Sequence, residues 1–378
     1  MRSLNDTVRR LSALRRSPMH GVASATVEDR LSDLPAFGSN PGALRGRFYI
    51  PPALPASAAL VVVLHGCTQD AASYDHGSGW SRLADEQGFA LLYPEQQRGN
   101  NANLCFNWFD AGDIRRDAGE AMSIRQMVAA MVAEHEIDPA RIFVTGLSAG
   151  GAMASVMLAT YPDVFAGGAI IAGLPFGTAT SIPEAFDRMR AHGGPPSAAL
   201  GALVAAASPH TGPWPKISVW HGDRDATVSH ANSGLIVEQW RALHGVAREP
   251  HAVEQVDGHL RRAWCDADGL DVIEEYRIAG LGHGTPLSTT GADACGTAGP
   301  YMLEAGISST RRIAAFWGLT AAQWKSHPDL GEPQRAAAAP ATGKTFPAGH
   351  CGVPPRPEPA SGVERVIQDA LRAAGLMR

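Results

Sequence analysis

The stretch Arg141-Ile-Phe-Val-Thr-Gly-Leu-Ser-Ala-Gly-Gly-Ala-Met-Ala154 constrains the fold of this chain more than any other. An apolar, β-branched run reaches Thr145. Gly146-Leu147-Ser148-Ala149-Gly150 follows, and small residues of helical character continue to about Ala159. Strand, tight turn and helix form the setting in which a G-x-S-x-G sequence becomes a nucleophile elbow. The serine then sits at the apex in a strained backbone conformation. Glycines two before and two after it keep side chains out of the space where strand and helix nearly touch. The helix starting there aims its free N–H groups at the apex. A surface Ser-Gly turn would also match the pentapeptide, but it requires neither the buried strand before it nor the small-residue helix after it.

The rest of the chain repeats the same alternation. Leu44–Ile50 alternates and ends at a Pro-Pro pair, as an edge strand does. Ala58–Leu64, Phe89–Tyr93, Phe165–Ala172 and Lys216–His221 are apolar runs suited to buried parallel strands. Between them lie helical patterns at Gly79–Gly88, Asp113–His135 and Ala231–Leu243. His259–Trp264 and Leu270–Ile278 bracket Asp266-Ala-Asp-Gly269, the turn chemistry of a hairpin. The serine-capped helix Ser308–Trp317 closes the series. Buried strands alternating with helices predict an α/β fold with a mostly parallel, doubly wound sheet and right-handed crossovers.

The chain has 378 residues, and 45% hydrophobic with 18% charged residues supports a sizeable core. The expected organisation is an N-terminal helix and loop over 1–42, a catalytic domain over 43–320, a Pro/Ala-rich linker over 321–361 and an amphipathic helix over 362–378. Residues 17–42 read as loop. The Pro/Gly/Ala/Ser-rich segment 173–215 fits no strand and reads as a cap or lid insertion with two short helices. Val8, Leu11 and Leu14 lie on one side of a short basic N-terminal helix, which would dock on the body or meet an anionic surface.

A net charge of −5 argues against a nucleic-acid partner, which would need a basic face. No run of 18 apolar residues exists, so no membrane span is expected. The N-terminus shows no apolar h-region of a secretory signal. Cys67, Cys105, Cys265, Cys295 and Cys351 are odd in number and form no C-x-x-C pair, so neither a zinc site nor another metal or cofactor is expected. By themselves these features suggest free thiols in a reducing compartment.

A serine hydroxyl needs a base within hydrogen-bond reach, and the base needs a carboxylate on its other nitrogen. On an elbow of this kind the chain order is Ser, acid, His. The acid falls in Trp220-His-Gly-Asp-Arg-Asp225, at the carboxyl end of a buried strand. Asp225 lies further round the turn and is favoured; Asp223 would cap the turn or pair with Arg224. The base falls in Gly280-Leu-Gly-His283-Gly, where flanking glycines let the backbone present the ring. The oxyanion donors are expected to be the N–H of Ala149 and the N–H of Cys67, in the loop His65-Gly-Cys-Thr-Gln-Asp70. Trp108, Trp220 and Trp264 either line an apolar substrate groove or belong to the core.

Five motifs in order (Leu64-His-Gly-Cys-Thr-Gln69, Cys105-Phe-Asn-Trp-Phe109, Gly146-Leu-Ser-Ala-Gly-Gly-Ala-Met153, His221-Gly-Asp-Arg-Asp225 and Gly280-Leu-Gly-His283) resemble the poly(3-hydroxybutyrate) depolymerase family of esterases, related to feruloyl and acetylxylan esterases. The resemblance covers roughly residues 45–320. It implies an α/β-hydrolase fold and carboxylic-ester hydrolysis with Ser148, Asp225 and His283 as the triad, and His65, Asn107, Trp108 and Trp220 near an ester substrate. It also implies a Cys67–Cys105 disulfide. Cys265 and Cys295 are then available to pair, and Cys351 is left over. It suggests an extracellular enzyme, against the cytoplasmic reading of the N-terminus. Many relatives carry Ala-Trp-Ser-Gly-Gly after the histidine where this chain has Gly284-Thr-Pro-Leu287. The alternatives are a feruloyl or acetylxylan esterase and, from another class, a non-catalytic polymer- or granule-binding protein.

Overall fold

Ala58–Leu64 is buried at every position, and its alternate residues feed two different cores. Leu60, Val62 and Leu64 join one apolar cluster, Val61 and Val63 the other. A strand covered on both faces has this continuous apolar character because neither face meets water. The structure is a computed structural model describing residues 28–320 apart from Ala292. The expected N-terminal helix around Val8, Leu11 and Leu14, the 321–361 linker, Cys351 and the 362–378 helix lie outside the described residues.

In chain order the strands are β1 (Ser32–Leu34), β2 (Arg45–Tyr49), β3 (Ala58–Leu64), β4 (Ala90–Glu95), β5 (Ile137–Leu147), β6 (Gly167–Ile171), β7 (Lys216–Gly222), β8 (Ala252–Val256), β9 (His259–Cys265), β10 (Asp271–Ile278), β11 (Thr285–Leu287) and β12 (Met302–Glu304). The helices are α1 (Ala71–Ser78), α2 (Trp80–Gln87), α3 (Gly119–Glu134), α4 (Ala149–Thr160), α5 (Ile182–Met189), α6 (Ser197–Ala205), α7 (Ala231–His244) and α8 (Ser309–Phe316). Ten strands form one sheet in the order β1-β2-β4-β3-β5-β6-β7-β10-β9-β8. The six central strands, from β4 to β10, run parallel. Two antiparallel strands extend the sheet at each edge.

The parallel register brings the carboxyl ends of the central strands to one rim. Leu147 pairs with Ile171, Ile171 with Trp220, and Gly222 with Ile278. Beyond the ladder, Ser148 N–H donates to Ile171 O at 2.9 Å and Asp223 N–H to Ile278 O at 3.1 Å. The loops after β5, β7 and β10 therefore leave the sheet side by side. Neighbouring strands lie roughly 5 Å apart, so the loops after adjacent β7 and β10 lie within side-chain reach, and the loop after β5 leaves the same rim two strands away from β7.

The expected α/β architecture is the observed one, with local corrections. Residues 17–42 are not all loop: Ser32–Leu34 pairs antiparallel with β2 as β1. Arg47, itself buried, holds that segment by donating to Leu31 O at 2.6 Å and to both Asp29 oxygens. α3 starts at Gly119 rather than near Asp113, because Asp113 turns back beneath the helix and accepts the N–H groups of Glu120 and Ala121. The strands β8, β11 and β12 and the helix α1 have no counterpart in the sequence reading. Segment 173–215 does carry two short helices. Gln239 of α7 donates to Phe176 O and Leu200 O and accepts from Phe176 N–H, tying this segment to α7. Ser229 N–H donates to Met189 O at 2.7 Å, linking α5 to the loop after β7.

Helix α8, the last among the described residues, seals the second core. Trp317 stacks on Phe143 of β5 at 4.9 Å between ring centroids and on Trp80 of α2 at 6.0 Å. Truncating a buried tryptophan leaves a cavity and typically costs about 3–5 kcal/mol. Trp317→Ala is therefore expected to lower the unfolding free energy obtained from urea titration by an amount of that order, with a lower midpoint. An unchanged midpoint would show that α8 contributes little to the core.

Candidate active site

Ser148 has φ 57° and ψ −116°, a backbone conformation that side-chain-bearing residues rarely adopt. Such strain costs about 1–3 kcal/mol and persists only where the surroundings enforce it. Here they do. A Cβ at Gly146 would overlap the Gly150 backbone, and one at Gly150 would overlap the Leu64 carbonyl. The elbow closes because both positions lack a side chain. All twelve residues of α4 are buried, so the helix is gripped on every side.

Asp225 and His283 meet at the same rim. Asp225 Oδ2 lies 2.7 Å from His283 Nδ1, and the Asp225 side chain is fully buried. The carboxylate can only accept, so Nδ1 carries the proton and Nε2 keeps its lone pair. Asp225 Oδ1 accepts the N–H groups of Thr227 and Val228 at 2.8 and 2.9 Å. Burial opposes the charge on Asp225, but hydrogen bonds from His221 and His283 outweigh it and hold its carboxyl well below the ordinary carboxylate range. Asp223 takes a different part. Its Oδ1 accepts Gly280 N–H at 2.8 Å and its Oδ2 lies 3.8 Å from Arg277, not Arg224. A Cβ at Gly222 would overlap the Leu281 carbonyl, so this glycine lets the two loops touch.

The loop after β3 supplies the third component. Gly66 N–H donates to Gln69 Oε1, Thr68 N–H to Asn103 O and Gln69 N–H to Gly66 O. Among the described residues the N–H groups of Cys67 and Ala149 have no acceptor. A Cβ at Gly66 would stand 3.5 Å from Leu147 O, so this loop packs against the residue preceding Ser148. Cys67 and Cys105 form a disulfide spanning 38 residues of sequence. Closing a loop of that length removes roughly 4 kcal/mol of unfolded-chain entropy in the simplest model.

The profile of the esterase PHB depolymerase family matches residues 44–257, more than half of the chain. The chain belongs to that family. It is 47% identical over 315 residues to the poly(3-hydroxyalkanoate) depolymerase C of Paucimonas lemoignei, covering 83% of this chain and 76% of that protein. It is 30% identical over 268 residues to an acetylxylan esterase of Coprinopsis cinerea, covering 69% of this chain and 71% of the relative. Among solved structures, an acetyl xylan esterase from Aspergillus awamori superposes with a TM-score of 0.64 at 22% identity, covering 77% of this chain and 99% of the other. The protein is thus a carboxylic-ester hydrolase of the α/β-hydrolase fold.

Several residues expected near the substrate of this esterase are occupied elsewhere. His65 does not face a groove: it is 1% exposed, its Nδ1 donates to Gly66 O at 2.8 Å and its Nε2 accepts Gln96 N–H at 3.1 Å. Burial lowers its pKa although the Gly66 carbonyl opposes this. Trp220 is fully buried, stacked on Tyr276 at 3.8 Å, with its indole N–H on Ser218 Oγ. Trp264 is buried and donates to Arg248 O. Trp108 packs into the first core and meets Phe109 edge-on. Asn107 donates to Asp113 and Glu120 and accepts from Asn101. Cys265 and Cys295 are unbonded; buried Cys295 points its thiol at Ser78 O and Gly79 O, and burial pushes that thiol up to about 11. Burial of this kind is decided by which faces pack together, which periodicity alone does not give.

The sequence reading gave His221 and Tyr301 no part, although His221 opens the acid-bearing motif. His221 Nε2 lies 3.3 Å from Asp225 Oδ2. Tyr301 stands edge-on to His283 at 6.2 Å between ring centroids. It is brought there by β11, formed by the divergent Thr285–Leu287 segment, which pairs with β12. A Cβ at Gly284 would stand 2.7 Å from Tyr301 O, so glycine is required for that approach.

Glu120 organises the loop that carries Cys105. It is fully buried and accepts from Gln96 Nε2 at 2.6 Å and from Asn107 N and Nδ2 at 2.9 Å each. Burial pushes its carboxyl up to about 8, against the pull of the Asn107 N–H and with help from neighbouring Asp113. The folded state therefore holds the proton to higher pH than the unfolded chain does. This stabilisation is complete below the ordinary glutamate range and is lost as pH rises towards about 8. Urea midpoints of wild type and Glu120→Gln at pH 5, 7 and 9 should show the wild type falling more steeply over this interval. Parallel curves would remove Glu120 as the titrating group.

Proposed function

We propose that this protein is a serine esterase that hydrolyses 3-hydroxyalkanoate polyester or its oligomers through an acyl-enzyme on Ser148. The observation that carries the reading is the part-buried Asp225–His283 hydrogen bond of 2.7 Å on the rim where Ser148 is held in its strained turn. His283 Nε2 takes the Ser148 hydroxyl proton as the oxygen attacks the ester carbonyl. The carbonyl oxygen becomes an oxyanion and receives the free N–H groups of Cys67 and Ala149. His283 then hands the proton to the departing alcohol oxygen as the ester bond breaks. Water enters, loses a proton to His283 and releases the acid, regenerating the serine. Asp225 stays ionised throughout and fixes the tautomer in which Nε2 is the base.

The 3-hydroxyalkanoate substrate class is supported by the 47% identity to a poly(3-hydroxyalkanoate) depolymerase. The 30% identity to an acetylxylan esterase supports an acetyl or feruloyl ester as a second reading. The Cys67–Cys105 disulfide favours work in an oxidising, extracellular setting, since such bonds persist there. Among the described residues no helix is long and apolar enough to cross a membrane. In this reading segment 173–215 is a cap whose α5 end rests on the acid-bearing loop.

Ser148→Ala is expected to cut hydrolysis of p-nitrophenyl butyrate by at least ~10³-fold, since a triad nucleophile has no substitute. Equal rates for the two proteins would end the esterase mechanism as written. Product analysis on 3-hydroxybutyrate oligomers beside methyl ferulate and acetylated xylan assigns the substrate class. Release of hydroxybutyrate units is the expected outcome, and faster turnover of either polysaccharide-type ester would transfer the assignment.

A further inference from the structure

His221 is the penultimate residue of β7, and its side chain is 1% exposed. Its Nε2 lies 2.8 Å from Val228 O and 3.3 Å from Asp225 Oδ2. Both neighbours are acceptors, so Nε2 carries the proton; it is hydrogen-bonded to Val228 O and faces Asp225 Oδ2 at 3.3 Å. The other ring nitrogen, Nδ1, is buried with no hydrogen-bond partner among the described residues. A buried imidazole with one nitrogen left unpaired is costly, and a leucine of similar size would avoid that cost. The function of the ring must therefore lie on its Nε2 side.

The two oxygens of Asp225 are held differently. Oδ1 is fixed by backbone N–H groups of Thr227 and Val228, which any sequence with this turn would provide. Oδ2 is approached by two side-chain donors, the imidazoles of His221 and His283. Resting on the triad reading above, we propose that His221 is a positioning residue for the reaction. Its Nε2 proton clamps the turn Asp225–Val228 and orients Oδ2 towards His283. It also supplies a second donor to the oxygen that must stay anionic while His283 holds the serine proton. His221 touches neither substrate nor Ser148. Its effect should appear in the chemical step and not in substrate binding.

The test is steady-state kinetics on p-nitrophenyl butyrate with the full chain carrying His221→Gln, His221→Asn or His221→Leu, with Ser148→Ala as background. The Gln amide nitrogen reaches about as far from Cα as the imidazole Nε2, whereas the Asn nitrogen stops near the position of Nδ1. His221→Gln should keep kcat within about fivefold, and His221→Asn and His221→Leu should lose roughly 10- to 100-fold, the worth of one hydrogen bond to a charged group. KM should stay within about twofold in all three, as expected when only transition-state stabilisation is removed. Near-UV circular dichroism and the melting midpoint report folding. Should the Leu variant not fold, the Gln–Asn contrast decides alone, because both are polar. Equal kcat for Gln and Asn, wild-type kcat in a folded Leu variant, or a loss residing in KM would each overturn the proposal. Wild-type activity in Ser148→Ala would instead remove the triad reading, and this role with it, and is distinguished by leaving the background high.

Discussion

The close approach of helix α4 to strands β3 and β5 is the contact on which the rest of this molecule depends. Gly146 and Gly150 let the backbones meet at distances that a single methyl group would forbid. That approach fixes Ser148 at positive φ, lifts it out of the sheet and leaves the first amide of α4 unpaired beside it. The strain is stored locally and is held by a helix buried along its whole length.

Around that turn the protein spends its buried polar groups on rigidity. Asp225 receives four donors, two from its own turn and two from imidazoles. The loop bearing Cys67 is held from beneath by His65 and Gln96, and Gln96 in turn binds Glu120 and the Cys105 carbonyl. Buried networks of this kind favour one arrangement, since alternatives strand polar groups away from water. The disulfide adds a covalent tie between the same two loops. A site built this way can present N–H groups to a developing charge without first rearranging.

The fold and the candidate site residues were legible where they rest on local signals. Continuous apolar runs marked β3, β4, β5 and β7, and the glycines around Ser148 and His283 marked turns with special backbone needs. What stayed hidden depended on distant partners. The resemblance placed Trp220 and His65 near the substrate, yet each is consumed by a neighbour remote in sequence, Tyr276 for one and Gln96 for the other. Cys295 seemed available for pairing until its thiol was found buried against α1. The strand Thr285–Leu287 left no sequence signal because three residues are too few to show a period, and it exists only through pairing with Met302–Glu304.

By itself the sequence determined an α/β sheet with a serine at a strand-to-helix turn, and its resemblance to a known family implied the α/β-hydrolase fold and the expected order of serine, acid and base. The sheet and the turn follow from side-chain period and glycine placement, which act over a few residues. Asp225 was already favoured over Asp223 by its place in the turn; only the tertiary structure decided that it meets His283, that a second histidine lies beside its carboxylate, and that Tyr301 stands beside His283. The reason is that these choices depend on which loops the parallel register brings to a common rim. Register across β5, β6, β7 and β10 is settled by packing of both sheet faces at once.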